Sequence, residues 1–331
     1  MTVTLYAGTA GASVWSSEDL GETWDRPFFS GLYFECRVFS LTAQPGNGDV
    51  VFAGTDQGVQ RWRPATGRWE HLPSVMDGRT VWSIAQSPHD PDVLLAGVTP
   101  AALYRSLDGG VSWSEAQVEM PAECEAVDRT RVTQILFDPV DTQLVWATVE
   151  IDGVYRSEDG GETWRKRVDG LTTEDVHGIA VMRQEGRRKL LVATNKGLHA
   201  SSDDGDHWSF IDVPAAMRTR LTPDEEWQYT RCVVAKADGS GTVFLTNGDG
   251  PPGSIGRLLR SDDYGQNWSE SSLPVELNST LWCIAVNPRD PELVFCSTAY
   301  GQIFRSRDGG ATWSKLKREL GEIRALLAVA T

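Results

Sequence analysis

Residues 157–164 read Ser157-Glu-Asp159-Gly-Gly161-Glu-Thr163-Trp164, and the same eight-residue pattern, Ser-x-Asp-x-Gly-x-Thr-Trp, returns along the chain. Equivalent tryptophans mark seven copies, one of which keeps little more than the period. These tryptophans are Trp24, Trp69, Trp113, Trp164, Trp208, Trp268 and Trp313. Four of the six intervals are 44 or 45 residues, and the other two are 51 and 60. Regular spacing of this length is typical of repeated supersecondary units.

Each repeat contains four short apolar runs, seen most clearly at residues 81–85, 93–97, 102–106 and 111–114. The runs are rich in β-branched and aromatic residues and are separated by Gly, Pro and Asp, which favours strands joined by turns. Four-stranded units repeated around an axis are typical of a propeller, whose blades bury their faces against each other. The sequence therefore predicts an all-β, seven-bladed β-propeller that occupies residues 1–331 as a single domain.

The two ends of the chain predict how the ring closes. Residues 3–8 have the character of a second strand, whereas residues 323–329 have the character of a first strand without its own blade. We therefore expect the last strand to join the first blade, formed by residues 2–28 with 322–330. Such a closure removes an exposed sheet edge.

The repeated pattern resembles the Asp-box, or bacterial neuraminidase repeat, and the resemblance covers essentially the full chain. Proteins of this kind include sialidases, xyloglucan-cleaving hydrolases, sorting receptors and photosystem assembly factors. The resemblance implies the fold but not the function, since function resides in the site that a fold carries. Sialidases have six blades and an N-terminal Arg-Ile-Pro signature that this chain lacks, so we do not expect sialidase activity. Xyloglucan hydrolysis suits two tandem propellers, and the sequence predicts one.

The box aspartates are interpreted as structural rather than catalytic or metal-binding. A short Asp side chain in a tight turn accepts hydrogen bonds from nearby backbone amides, and Gly supplies a positive φ. The tryptophan is expected to pack in the seam between blades. The six box aspartates are Asp19, Asp108, Asp159, Asp203, Asp263 and Asp308.

Composition argues against several functional classes. The net charge of −15 disfavours nucleic acid and anionic membranes, which need a basic surface. Five cysteines without Cys-x-x-Cys spacing favour reduced thiols, and no signal peptide or long apolar segment is evident, so we expect a soluble cytoplasmic protein. Only one of the five histidines, His177, is predicted at the mouth of the channel, so we expect no metal site and no cofactor.

The two stretched intervals predict the working face. Their additional residues fall in 114–130, 209–229 and 247–256, in loops that a propeller places opposite the Asp-boxes. Insertions confined to one face of a repeat array usually mark its binding side.

Aligning the seven first strands predicts two rings of side chains at the axial mouth of that face. The outer ring is Arg37, Thr80, Arg131, Asp175, Thr230, Thr280 and Glu322. The inner ring is Phe39, Trp82, Thr133, His177, Cys232, Trp282 and Arg324. Because these positions differ from blade to blade, they suit an asymmetric ligand.

The mouth residues suggest binding of a small anionic or sugar-like ligand, with or without its cleavage. Arginines can hold an acid group by forked hydrogen bonds, and Trp82 and Trp282 offer flat walls. Asp175 and His177 are candidate acid/base residues for a hydrolase or lyase. The candidate ligand-binding residues are Arg37, Trp82, Arg131, Tyr229, Arg231, Trp282, Glu322 and Arg324.

Two alternatives remain open. The mouth arginines would instead neutralise Asp175 and Glu322 in an ion network that plugs the channel. The protein would otherwise be a non-catalytic interaction or assembly scaffold, in which the acidic segment 224–227 presents Trp227 to a basic protein partner.

Overall fold

A computed structural model describes residues 3–26, 30–44, 47–124, 128–213, 217–218 and 226–330, with the backbone alone at 47, 49, 217, 218, 226 and 227. Within these ranges all regular structure is β-strand, and there is no helix of the length and hydropathy needed to span a membrane. Seven antiparallel sheets carry the fold. The first strand of each sheet packs against the first strands of its two neighbours, which closes the sheets into a ring.

The strands of each blade run outward from the central axis. Blade 1 contains β1 (Val3–Thr9), β2 (Val14–Ser17) and the C-terminal β31 (Ile323–Ala330). Blade 2 contains β3 (Val38–Gln44), β4 (Asn47–Thr55), β5 (Gly58–Arg63) and β6 (Arg68–Leu72), and blade 3 contains β7 (Thr80–Gln86), β8 (Leu94–Thr99), β9 (Leu103–Ser106) and β10 (Ser114–Glu115). Blade 4 contains β13 (Arg131–Phe137), β14 (Val145–Glu150), β15 (Gly153–Ser157) and β16 (Arg165–Lys166), and blade 5 contains β17 (Val176–Gln184), β18 (Arg187–Thr194), β19 (Gly197–Ser201) and β20 (Ser209–Ile211). Blade 6 contains β23 (Tyr229–Ala235), β24 (Val243–Gly248), β25 (Gly256–Ser261) and β26 (Ser269–Glu270), and blade 7 contains β27 (Leu281–Asn287), β28 (Asp290–Thr298), β29 (Ile303–Ser306) and β30 (Ser314–Lys315).

Two small hairpins lie in the crossovers between blades. The hairpin β11 (Glu123–Cys124) and β12 (Asp128–Arg129) precedes blade 4, and β21 (Met217–Arg218) with β22 (Glu226–Trp227) precedes blade 6. Both hairpins lead directly into a first strand, so they lie on the side where the first strands begin.

The predicted ring closure is confirmed. Strand β31 pairs antiparallel with β1 from Val3↔Ala330 to Thr9↔Ile323, and it packs against the first strands of blades 2 and 7. It is therefore the innermost strand of blade 1, and the first and last parts of the chain share one sheet.

Each Asp-box is a turn between the third and fourth strands that satisfies its own polar groups. In the first box the hydroxyl of Ser17 and the backbone N–H of Thr23 donate to Asp19 Oδ1 at 2.8 Å, and the Thr23 hydroxyl donates to Asp19 Oδ2 at 2.6 Å. The indole of Trp24 donates to the Gly21 carbonyl at 3.0 Å. The box turn of blade 3 also bonds the turn between the first and second strands, through Gly109 N–H to Asp92 O at 2.9 Å. These two types of turn therefore share a face, opposite the crossovers.

The blades approach each other too closely for a side chain at some second-strand positions. A Cβ on Gly97 would lie 2.4 Å from Val132 of the next blade, and one on Gly8 would lie 2.6 Å from Val38. Glycine at these positions lets a second strand contact the first strand of its neighbour, which fixes the spacing of the ring around the axis.

The Asp-boxes make stability sensitive to acid. Hydrogen bonds from the seventh box residue are the largest cause that lowers the carboxyl pKa to about 2 in Asp19, Asp108, Asp263 and Asp308. Because an unfolded Asp has a pKa of about 3.9, the folded state binds fewer protons and is favoured above that pH. The midpoint of urea unfolding is therefore expected to be nearly constant from pH 8 to 5 and to fall as the pH drops from about 4 to about 2. Asp308→Asn should make that fall shallower, and an unchanged midpoint down to pH 2.5 would contradict the argument.

Candidate functional site

A β-bulge in every first strand aims one side chain at the channel. In six blades the pairing between the first and second strands skips one residue near the start of the first strand, and in blade 6 it skips two. Such a bulge bends the strand and redirects a side chain. The side chains at these bulges are Phe39, Trp82, Thr133, His177, Arg231 with Cys232, Trp282 and Arg324.

These side chains surround the mouth of a cavity of about 300 Å³ that lies on the axis. Below the bulges the lining mixes apolar with polar side chains. The apolar ones are Leu41, Ile84, Ile135, Ile284 and Leu326, and the polar ones are Ser40, Thr42, Ser83 and Gln134. The cavity is thus charged at its mouth and of mixed polarity further in, which suits a ligand with a polar or charged end.

Two arginines lie against one tryptophan at this mouth. The guanidinium carbons of Arg231 and Arg324 are 4.1 and 4.5 Å from the centroid of the Trp282 ring. Arg324 also forms an ion pair with Glu322. Burial, together with the neighbouring charge of Arg231, lowers the pKa of Arg324, while Glu322 opposes the shift. Both guanidinium groups therefore contact the ring of Trp282, which is only 6% exposed and so is not a free flat wall for a ligand. Glu322 is the described carboxylate partner of Arg324.

The second tryptophan of the mouth is covered by protein. Phe39 stacks on Trp82 with ring centroids 4.4 Å apart and an interplanar angle of 27°. The guanidinium carbon of Arg131 is 4.6 Å from the Trp82 centroid, and Arg131 is ion-paired with Glu150. A sugar ring would have to displace these groups to stack on Trp82, so the flat wall expected from the sequence is already occupied.

Both ring nitrogens of His177 have a polar neighbour. Nδ1 lies 2.7 Å from the carbonyl oxygen of Thr230, and Nε2 lies 3.1 Å from Asp175 Oδ1. The Thr230 contact is a hydrogen bond, whereas Asp175 Oδ1 is buried and has no hydrogen-bond partner within the described residues. The ring also packs on Tyr229 with centroids 4.7 Å apart. The role of Asp175 and His177 in proton transfer stays a prediction, and the described contacts tie His177 to the wall of the channel.

Tyr229 and Glu150 complete a polar cluster behind the mouth. Burial raises the pKa of Tyr229, partly offset by the charge of Arg231 and a hydrogen bond with it. Glu150, Asp175 and His177 each offer a ligand atom, and these atoms lie within 4.8 Å of one another. A metal ion at this position would compete with Arg131 for Glu150, with the Asp175–His177 contact and with the Thr230 carbonyl. Glu150 Oε2 and Asp175 Oδ1 are buried and have no hydrogen-bond partner within the described residues, so only ion-pair contacts hold these two oxygens.

The structure brings most of the candidate residues together but separates others. Arg131, Arg231, Trp82, Trp282, Glu322 and Arg324 lie at the mouth, with Asp175, His177 and Tyr229 beside them. Arg37 is exposed and does not line the cavity, and its backbone bridges Ala10. Thr280 is buried and donates to the Gly250 carbonyl at 2.8 Å in the loop inserted before β25.

Blade 6 contributes two neighbouring side chains to the mouth. The sequence alignment assigned the inner position of this blade to Cys232, and Arg231 and Cys232 both line the cavity. Arg231 also contacts Trp282, and burial raises the pKa of the Cys232 thiol to about 11. Both residues are left unpaired between Thr230 and Val233, which brings Arg231 into the inner ring beside Cys232.

Some candidates cannot be placed. Asp224 and Glu225 of the acidic segment lie outside the described residues, and the side chains of Glu226 and Trp227 are not described. The predicted anchor around Trp227 is therefore untested.

Glu150 was missed by the sequence reasoning. It ends the second strand β14 and pairs opposite Arg131. The two predicted rings contain first-strand residues only, whereas the end of a second strand reaches the same face.

Seven sheets around an axis and the repeated self-bonded boxes define the class of this protein as an Asp-box β-propeller. The family model described as BNR/Asp-box repeat matches residues 304–315. A xyloglucanase from Paenibacillus sp. is 24% identical over 319 residues, which cover 81% of this chain but 30% of the relative. The chain spans less than half the length of the curated xyloglucanases that it matches first.

Solved structures share the fold. The GH74 xyloglucanase from Xanthomonas campestris has a TM-score of 0.69 at 18% identity, over 97% of this chain and 52% of that one. The structure described as YCF48 bound to D1 peptide has a TM-score of 0.56 at 16% identity, over 85% of this chain and 81% of that one. The chain is thus similar in fold to glycoside hydrolases that are about twice as long and to an assembly protein of comparable length.

Proposed function

We propose that this propeller is a recognition module that binds an acidic ligand at its axial mouth. The observation that carries the proposal is the placement of Arg231 and Arg324 on Trp282 at the entrance of the axial cavity. Guanidinium groups bind carboxylates, sulfates and phosphates by forked hydrogen bonds, and an aromatic face holds them in a fixed plane.

Binding is favoured over cleavage by the state of the other mouth groups. His177 Nδ1 is hydrogen-bonded to the Thr230 carbonyl, Nε2 lies 3.1 Å from Asp175 Oδ1, and Trp82 is covered by Phe39 and Arg131. The mouth thus offers cationic groups for an acid, while the candidate acid/base and sugar-stacking groups are occupied by protein partners.

The acid group of the ligand is proposed to displace the carboxylate of Glu322 from Arg324. Glu322 lies two residues before Arg324 at the start of β31, and its side chain is 36% exposed, so it is able to turn outward. An incoming acid group would then be shared by Arg324 and Arg231, while its apolar part enters the cavity above Leu41 and Ile284. Relief of repulsion between the two guanidinium groups adds to the affinity.

Thermal-shift measurements test this proposal. A panel of sugar acids, sialic acid, phosphorylated metabolites and simple di-acids should contain at least one compound that raises the unfolding midpoint. Saturation at about 100 times Kd adds roughly 2.7 kcal/mol, which corresponds to roughly 4 °C at an unfolding entropy of about 2.1 cal/mol/K per residue.

Arg231→Gln and Arg324→Gln should each abolish that shift without changing the midpoint of the free protein by more than about 2 °C, a small effect for a group at the mouth. Arg187→Gln, an exposed arginine on the Asp-box face, is the matched control and should keep the full shift. A shift that survives in Arg231→Gln and Arg324→Gln would reject the mouth as the site.

A hydrolase is the second candidate, because the Paenibacillus relative is a xyloglucanase. Glycoside hydrolysis uses two carboxyl groups, and those of Glu150 and Asp175 have oxygens within 4.8 Å of each other. Release of reducing sugar from xyloglucan oligosaccharides that is lost in both Glu150→Gln and Asp175→Asn would favour this reading. Absence of any turnover of these oligosaccharides by the wild-type chain would reject the hydrolase.

A further inference from the structure

A second set of stacked arginines lies on the outer rim of blade 1. The guanidinium carbon of Arg26 is 4.8 Å from the Trp15 centroid and 3.7 Å from the Phe34 centroid, so Arg26 contacts both rings. The guanidinium carbon of Arg318 is 4.4 Å from the Trp15 centroid. These four residues, Trp15, Arg26, Phe34 and Arg318, are called the rim stack below.

The rim stack lies on the same face as the axial mouth. Arg26 follows the last strand segment of blade 1, Phe34 lies in the crossover to blade 2, and Arg318 lies in the crossover that leads to β31. The turn between β1 and β2 connects the rim stack to the mouth, since Arg26 donates to the Ala12 carbonyl at 3.1 Å and Ala10 N–H donates to Glu322 O at 2.9 Å. Residues 10 and 12 are at most about 7 Å apart. A chain molecule of modest length would reach from one site to the other.

The charge of this sector is opposite to that of the whole protein. Arg26, Arg37, Lys317 and Arg318 lie here, on a chain whose net charge is −15. Two nearby carboxylates are paired with other cations, Glu319 with Lys315 at 2.8 Å and Glu322 with Arg324. Asp56 accepts from Tyr33 at 2.7 Å, a neutral donor that adds no positive charge. The four cations therefore outnumber the three carboxylates of the sector that have no described ion pair, which are Asp25, Glu35 and Asp56.

The rim stack also presents aromatic surface. Phe34 is 45% exposed and Tyr33 is 44% exposed. Tyrosine, tryptophan and arginine are the residues that dominate binding energy at protein interfaces, where aromatic rings supply rigid contact area. The combination of exposed rings with stacked guanidinium groups fits a polypeptide better than it fits a simple ion.

We propose that the rim stack is a second anion-binding subsite and that mouth and rim together bind one extended acidic polypeptide segment. One carboxylate of the segment lies between Arg231 and Arg324, and a later one lies at Arg26 and Arg318, with the intervening backbone over the turn between β1 and β2. This inference rests on the proposed function for its mouth end and adds the class of the ligand.

Fluorescence anisotropy with labelled glutamate peptides tests the inference. Triglutamate spans about 10 Å and octaglutamate about 27 Å when extended, so the longer peptide is able to engage both subsites. At low ionic strength octaglutamate is expected to bind at least tenfold more tightly than triglutamate. The double variant Arg26→Gln/Arg318→Gln should lose this tenfold gain and keep the affinity for triglutamate.

The remaining variants separate this inference from the proposed function. Arg231→Gln/Arg324→Gln should weaken both peptides at least tenfold, and Arg187→Gln/Arg307→Gln, with two exposed arginines outside this sector, should change neither. Loss of octaglutamate binding in the mouth variant with an unchanged length dependence in the rim variant would overturn the rim subsite and leave the mouth standing. Loss of the length dependence in the rim variant, with unchanged peptide binding by the mouth variant, would overturn the mouth site and leave the rim subsite standing.

Two further outcomes would overturn the inference outright. Equal affinity of the wild-type protein for the two peptides would exclude a second subsite. Tighter binding of polygalacturonate than of octaglutamate at equal charge would reject a polypeptide as the ligand.

Discussion

Deletion of residues 322–331 is expected to leave the chain unfolded at 25 °C. Strand β31 supplies the innermost strand of blade 1, where Ile323, Ala328 and Val329 are buried. Burial of Ile323 and Val329 alone contributes roughly 3–6 kcal/mol, against a net stability of about 5–15 kcal/mol for a typical protein. The deletion also removes the backbone pairing of β1 and breaks the ring between blades 1 and 7. Circular dichroism and urea titration would report the loss of a cooperative transition.

Variants in the same strand make the result specific. Ile323→Asp places a charge at a fully buried position and should destabilise strongly, whereas Arg324→Gln changes a side chain at the mouth and should keep a cooperative transition. A synthetic peptide of residues 322–331, added to the truncated chain, should restore part of the signal by occupying the vacant strand position. A truncated chain that unfolds cooperatively with a midpoint within 2 °C of the full-length protein would show that the closure is not needed.

The ring closure was predictable because it depends on periodic features. Box tryptophans such as Trp164 and the apolar runs between them repeat at a nearly regular interval. Blade 1 lacks a first strand at the start of the chain, so the additional first strand at 323–329 is predicted to join that blade. Because the units repeat, the order of the strands is enough to predict the long-range pairing of β1 with β31. For the same reason, the face opposite the boxes could be named from the strand order alone.

The details of the candidate site were not predictable in the same way. An alignment by strand position assumes regular pairing, but the bulge of blade 6 turns Arg231 toward Trp282. Glu150 reaches the mouth from a second strand, and its partnership with Arg131 depends on cross-strand pairing rather than on any motif. Stacking of Phe39 on Trp82 is a contact between blades 2 and 3 at positions that do not repeat. Such contacts follow from three-dimensional packing, and they decide which faces of the mouth remain available to a ligand.

Asp138→Asn is expected to lower the free energy of unfolding by about 3–5 kcal/mol, the usual cost of breaking a buried ion pair. The Asp138 side chain is fully buried between blades 4 and 5. Its Oδ1 accepts from the backbone N–H of Val140 at 2.8 Å and of Asp141 at 2.7 Å, and Arg183 donates to it at 3.0 Å. Its Oδ2 lies 2.7 Å from Nε of Arg188. An asparagine amide would direct N–H groups at a guanidinium, so Arg183 would lose its described carboxylate partner, while Arg188 would keep Asp141 and Asp204.

Asp141→Asn is the matched control for this contact between blades 4 and 5. Asp141 also contacts Arg188, at 3.3 Å, but its side chain is 44% exposed, and an exposed pair contributes about 0–1 kcal/mol. Urea unfolding at pH 7 should therefore separate the two variants by at least 2 kcal/mol, and the thermal midpoint of Asp138→Asn should fall by roughly 4–7 °C.

The pH dependence of the difference gives an independent check. Burial raises the pKa of Asp138, but the backbone N–H groups of Asp141 and Val140 and the charge of Arg183 outweigh it and lower the pKa overall. The stabilisation by Asp138 is then present above the unfolded pKa of about 3.9 and is lost as the pH falls through the lower folded value. The wild-type protein and Asp138→Asn should consequently converge in stability as the pH falls below this lowered folded pKa. Equal stabilities of the two proteins at pH 7 would show that Arg183 and Arg188 are satisfied without Asp138. The interface between blades 4 and 5 would then depend on its apolar contacts alone.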